Sequence, residues 1–131
     1  TETRVAMAGD GHFWVKARAN GAVHRLLVDT GATLTTLSAD TADELGAIPD
    51  PDGSRIMLTT ANGTTQAELG LITSLRVGNV VVHHLPVAVA PGMAETNVLG
   101  MNFLSQLASW RVEGQTLILV PHHPQRVEAN T

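Results

Sequence analysis

Three dipeptides, Asn20-Gly21, Asn62-Gly63 and Gly78-Asn79, each stand between two runs of alternating or β-branched residues. Two-residue hairpin turns need positive φ, which Asn and Gly adopt at least cost. Each dipeptide therefore predicts a tight hairpin, and three hairpins in 131 residues leave room for little besides strands. The first joins 11–19, alternating around Phe13, Val15 and Ala17, to 24–28. The second joins 55–60 to 65–71 through polar, Thr-rich arms, and the third joins 72–77 to 80–90. A last turn at Glu113-Gly114 connects 110–112 to 115–120, so the expectation is an all-β fold.

Two short helices interrupt the strands. Residues 38–45 place Asp40, Asp43 and Glu44 early, and Gly46 is their stop. Residues 101–107 form the other. The stretch 48–54 is loop, dense in Pro, Asp and Gly, and 1–10 shows no sustained pattern. The polar segment 121–131 is expected to be loosely ordered, which leaves a core of about 11–120 in a single domain spanning 1–131. Strand, turn, strand, loop and helix occur once up to Gly46 and again from Ile72 to Leu107, a repeat of pattern without identity.

Only 3% of residues are aromatic, so aliphatic side chains must build the core. A formal charge of -4 with no basic run argues against a nucleic-acid partner. Without cysteine there is neither a disulfide nor a thiolate nucleophile. No apolar run is long enough to span a membrane as a helix. A chain that begins at Thr1 is expected to be a fragment or processed form, so a missing signal peptide carries no weight.

Chemistry concentrates in Leu26-Leu27-Val28-Asp29-Thr30-Gly31-Ala32-Thr33. The apolar run predicts a buried strand, and the acid at its end is costly to bury unless partners compensate. Thr30 brings a hydroxyl that donates and accepts, and Gly31 permits close approach. An ordinary strand-to-turn Asp-Thr-Gly fits the tripeptide alone equally well, because perturbed acids also arise structurally. The histidines His83-His84 and His122-His123 are adjacent pairs without metal-site spacing, so no metal is expected. Ser38 and Ser105 lack the surroundings of a serine nucleophile.

With its flanks, 27–32 resembles the active-site loop of retropepsin-like aspartic peptidases, specifically the small bacterial, single-lobe members. A second segment, Asn97-Val98-Leu99-Gly100-Met101-Asn102-Phe103-Leu104, is similar to the apolar-apolar-Gly motif and helix that pack behind that loop. The resemblance covers about 13–120 and implies a closed or partly open β-barrel with one or two short helices, one lobe per chain. It implies Asp29 as catalytic residue, with Thr30, Gly31 and Ala32 supporting the loop. The polar hairpin reads plainly as a solvated surface hairpin. The resemblance makes it a flap with Ala61, Asn62 and Gly63 at its tip, lining substrate pockets together with Val98. No cofactor is implied.

This chemistry uses two carboxylates that share one proton. The chain holds one Asp-Thr-Gly, and Asp10, Asp40, Asp43, Asp50 and Asp52 stand in turn or helix-start contexts. The second carboxylate must come from another copy, so the expectation is a homodimer cleaving a peptide or protein substrate. Retroviral relatives pair an arginine after the second motif's glycine with an aspartate after the catalytic loop. Met101 and Thr33 stand there instead, which predicts a weak dimer. Nothing after Val120 resembles the strand by which retroviral proteases interleave. A catalytically silent domain of this fold, kept for dimerisation or peptide binding, is the alternative. The bacterial resemblance also implies a periplasmic setting, with an N-terminal anchor outside the chain.

Overall fold

The computed structural model describes residues 1–60, 63–91 and 97–122. In chain order its strands and helices are β1 (Thr3–Ala6), β2 (Trp14–Ala19), β3 (Ala22–Val28), β4 (Thr35–Leu37), α1 (Ala39–Glu44), β5 (Ile48–Pro49), β6 (Arg55–Thr60), β7 (Gly63–Val77), β8 (Val80–Val89), β9 (Val98–Leu99), α2 (Met101–Leu104), β10 (Ser109–Glu113) and β11 (Thr116–Val120). Asn20 and Gly21 both take positive φ, 52° and 74°, and set β2 against β3 from Ala19↔Ala22 to Trp14↔Leu27. Gly78, at φ 57°, begins the corresponding turn between β7 and β8.

The strands interlock. β9 lies between β3 and β4, parallel to β3, while β4 lies between β9 and β8, parallel to β8. Exchanging β2, β3, β4 and α1 for β7, β8, β9 and α2 reproduces these pairings, so the repeat of pattern is an internal two-fold arrangement. β2 also pairs with β7 at Ala17↔Val77, which closes the sheet into a ring, and β5 and β6 lie along β7 outside it. A separate sheet, ordered β1-β11-β10, covers one side. Residues 121–131 were expected to be loose; Pro121 is buried, and 123–131 lie outside the described residues.

The ring is filled by aliphatic side chains, with Leu26, Leu37, Leu75, Leu85, Leu99 and Leu104 fully buried. Phe103 is the one fully buried aromatic, while Phe13 and Trp110 pack on the core half-buried. Each such leucine contributes roughly 1.5–3 kcal/mol by leaving water. In the run before Asp29, Leu26 is buried and Leu27 and Val28 are half-buried. Ser38 caps α1, its side chain accepting from the Thr41 backbone N–H at 3.2 Å. Gly46 ends that helix at φ 74°, where a Cβ would stand 2.9 Å from that of Asn20.

Besides β4 and β9, short strands where none was expected, four elements depart from the sequence expectation. The segment 1–10 contains β1, which pairs with β11 from Thr3↔Leu119 to Ala6↔Thr116, so the ordered core begins before residue 11. Four residues carry too little alternation to be read alone, and their partner lies more than a hundred residues away. The expected loop 48–54 opens with the short β5. The strands expected at 65–71 and 72–77 are one strand of 15 residues. Its inward positions change phase between Ile72 and Leu75, opposite His83 and His84, and His84 has φ 53°. The second helix ends at Leu104, short of the expected 107.

The entry to β2 is pinned by Asp10, which accepts from the Trp14 indole N–H at 2.8 Å and the His12 backbone N–H at 2.9 Å. The indole bond first, and the His12 bond second, hold the Asp10 carboxyl below its ordinary value. A lowered folded-state pKa adds stability above the unfolded value and loses it as pH falls through the folded one. The Trp14 Nε1–H resonance is therefore expected to titrate below about pH 4, the ordinary aspartate value. Asp10→Ala should remove that step from an NMR acid titration.

Candidate active site

Asp29 follows β3 directly, and its backbone N–H donates to the Leu99 carbonyl at 3.0 Å, extending the parallel β3–β9 pairing by one residue. The chain then turns, with Ala32 N–H donating to the Asp29 carbonyl at 3.1 Å. Inside this turn Asp29 Oδ1 accepts from the Gly31 N–H at 2.8 Å. A Cβ at Gly31 would lie 3.1 Å from that same oxygen, so the absent side chain leaves the carboxylate its place.

The second motif holds the loop from behind. Gly100 carries no Cβ because one would stand 2.6 Å from the Leu34 carbonyl carbon and 2.8 Å from the Ala32 carbonyl oxygen. With the backbones this close, Met101 N–H donates to the Ala32 carbonyl at 2.7 Å and Asn102 N–H to the Thr33 carbonyl at 3.0 Å. The first donors of α2 are thus satisfied by the loop, where no side chain caps the helix. Met101 thus bonds Ala32, and Thr33 bonds Asn102, both through backbone groups.

A buried polar network makes the join rigid. Thr35, fully buried, donates through its hydroxyl to Asn102 Oδ1 at 2.9 Å and accepts from Gly100 N–H at 3.1 Å. Asn102 Oδ1 also accepts from Thr35 N–H at 2.9 Å, and its amide donates to the Pro86 carbonyl at 2.7 Å. Asn97 brackets the loop: its carbonyl accepts from Leu27 N–H and its side chain from Ser38 N–H, each at 2.8 Å. Sequence reasoning missed these roles for Thr35, Asn97 and Asn102. The available signal was the pair Thr35-Thr36 set between Leu34 and Leu37, and it marks Thr35 alone.

Asp29, Thr30 and Gly31 are exposed and Ala32 is half-buried. The buried acid expected from the sequence is therefore, in the single chain, a surface carboxylate at the end of a partly buried strand. Among the described residues Asp29 Oδ2 and the Thr30 hydroxyl have no hydrogen-bond partner. Val98 is half-buried in β9, set against Leu27 and Thr36, and so stands beside the loop. Gly63 lies exposed at φ 113° at the start of β7. Ala61 and Asn62, expected with it at the hairpin tip, lie outside the described residues. His83 and His84 are both exposed, and His83 Nδ1 lies 2.9 Å from Ser74 Oγ. No three described His, Cys, Asp or Glu side chains converge as a metal site.

Residues 15–106 match the family described as "gag-polyprotein putative aspartyl protease". The structure is similar to that of a retropepsin-like aspartic protease from Rickettsia conorii, with a TM-score of 0.72 and 28% identity over 91% of this chain and 90% of that one. Two curated relatives are uncharacterized proteins. One, from Rickettsia prowazekii, is 31% identical across 90% of this chain and 51% of its own length. The other, from the cobV 5′ region of a Sinorhizobium species, is 32% identical across 75% of this chain and 42% of its own. The chain thus spans about half the length of these relatives.

The contact at Gly100 is testable. Gly100→Ala should lower stability by roughly 3 kcal/mol, since backbone rather than a flexible side chain must give way. Gly9→Ala, with nothing within 4 Å, is the neutral control in denaturant unfolding. Thr35→Val should cost about 1–3 kcal/mol by leaving the Gly100 N–H and the Thr35–Asn102 pair incomplete.

Proposed function

The chain belongs to the retropepsin-like aspartyl protease family, and on that premise we propose that it is an endopeptidase acting as a homodimer. The carrying observation is the pairing of a rigid loop with an outward acid. Asp29 is held by Leu99, Gly31 and the backbone behind Gly100, yet its carboxylate and the Thr30 hydroxyl face solvent. One such carboxylate is either ionised or protonated at the moment of attack, so it cannot serve as base and acid together. A two-fold axis through the loop would bring two Asp29 side chains together and give the Thr30 hydroxyls partners across it.

Like charges about 3 Å apart share one proton. The ionised Asp29 takes a proton from a water, and the resulting hydroxide attacks the peptide carbonyl carbon. The protonated Asp29 donates to the carbonyl oxygen, so the tetrahedral intermediate forms uncharged. Proton return to the amide nitrogen then accompanies cleavage of the C–N bond. Substrate binds extended, along strand edges, with Val98 lining a pocket. The β6–β7 hairpin closes over it as a flap, with Ala61, Asn62 and Gly63 at its tip. Its exposed arms, including Met57 at 61% exposure, support that reading.

Incubation with a diverse peptide library from about pH 3 to 7 tests the activity. Asp29→Asn should lower cleavage by roughly 10³-fold or more with the fold intact. Specific activity should also fall on dilution, and excess Asp29→Asn should poison wild type through mixed dimers. Cleavage that survives in folded Asp29→Asn would overturn the mechanism. Constant specific activity at concentrations where light scattering reports monomer would overturn the dimer. Peptide binding without cleavage by wild type would favour the silent module.

A further inference from the structure

Four of the eight Lys and Arg residues stand on one outward wall of the ring. Lys16 and Arg18 point outward from β2, whose Val15 and Ala17 are buried. Arg25 faces Lys16 across the β2–β3 pair, and Arg76 faces Arg18 across β2–β7. Directly opposed like charges weaken a sheet. Arg4, Arg55 and Arg111 each pair with a glutamate, at 2.6, 3.7 and 2.8 Å. The wall has no such acid among the described residues. Arg25 lies 4.5 Å above the Trp14 ring, and Arg76 Nε donates to the Gly78 carbonyl at 3.0 Å. Arg18 has no partner among the described residues. A chain of net charge -4 thus leaves two facing arginines uncompensated.

These arginines line a groove of about 730 Å³, within the usual size of a small-ligand site. One register row crosses it as Val23-Arg18-Arg76-Val81, two guanidinium groups flanked by two apolar side chains. Asn20 and Thr73 add an amide and a hydroxyl to the lining. Val23 lies at the opposite end of β3 from Asp29, roughly 20 Å along the strand.

We propose that this groove binds a small ligand carrying a doubly charged oxyanion, of which a phosphomonoester is the simplest. Arg18 and Arg76 supply two positive charges and forked donors that match its oxygens. Thr73 donates to an oxygen that remains, as does Asn20 through the amide hydrogen it does not give to the Glu44 carbonyl at 3.4 Å, and Val23 and Val81 receive the ligand's apolar body. The proposal is independent of peptidase activity.

The test compares thermal unfolding in sodium phosphate and in sodium chloride at equal ionic strength, above pH 7, with amide NMR shifts recorded alongside. Phosphate should raise the Tm beyond the chloride control by more in wild type than in Arg18→Gln, because general salting-out acts on both while binding to the folded state acts on wild type. Shifts should concentrate at Asn20, Thr73 and Ser74, and phenyl phosphate should bind more tightly than inorganic phosphate. Arg18→Gln and Arg76→Gln should each weaken phosphate binding roughly tenfold. In chloride Arg18→Gln, which gives up no hydrogen bond, should keep or raise the Tm as the facing repulsion is removed. It therefore carries the test even if Arg76→Gln destabilises the β7–β8 turn. Equal Tm in phosphate and chloride would overturn the proposal. So would an undiminished phosphate effect in Arg18→Gln, or shifts scattered over the basic surface.

Discussion

The structure depends on a backbone-to-backbone approach at Gly100. A chain segment can lie within 3 Å of the position a Cβ would occupy only where there is none, and here the segment is the loop after Asp29. That approach lets Met101 and Asn102 give their N–H groups to the loop carbonyls at 2.7 and 3.0 Å. A helix of four residues has almost no hydrogen bonds of its own, so its start is stabilised by tertiary contact. Loop and helix complete each other.

The internal two-fold arrangement explains why this join sits at the middle of the molecule. β4 and β9 are the third strands of the two halves, and each is inserted between strands of the other. They pair with one another only at Thr36↔Val98. Their crossing brings polar residues into a region that excludes water. Among the described residues no buried side-chain nitrogen or oxygen is left without a partner, and Thr35 and Asn102 show how. A satisfied buried network is stiff because each lost bond would expose the full desolvation cost of its group. That stiffness positions an acid at the surface without burying it.

Much of the fold was legible because its turns are local. Asn20-Gly21 and Gly78-Asn79 specify hairpins within a few residues, and Ser38 with Gly46 brackets α1. β1 was not legible, since its four residues acquire meaning only beside β11. The continuous β7 was hidden by its change of inward phase near Thr73, which depends on the kink opposite at His84. At the site, Asp29-Thr30-Gly31 was recognisable as a motif, but its exposure was not. Strand pattern reports which face is apolar, and a loop beyond the strand end has no such constraint. Asn97 and Asn102 act on residues 59 and 67 positions away, a relation that no local reading reaches.

The exposed acid also bears on how chemistry and assembly are linked under the proposed reading. Two ionised carboxylates about 3 Å apart repel by roughly 5 kcal/mol at an effective dielectric near 20, comparable to a sizeable part of a weak interface. Sharing one proton removes that repulsion, so association and protonation become one coupled equilibrium. The retroviral-type ion pair could brace each protomer near the axis, but Met101 and Thr33 offer only backbone contacts to the loop. Less of the pairing cost is then offset by the protein itself. The shared proton and the strand-like hydrogen bonds of a bound peptide have to contribute more. Under the proposed reading, a site built this way would form most completely when its substrate is present, which would confine hydrolysis to chains that the pair of protomers already holds.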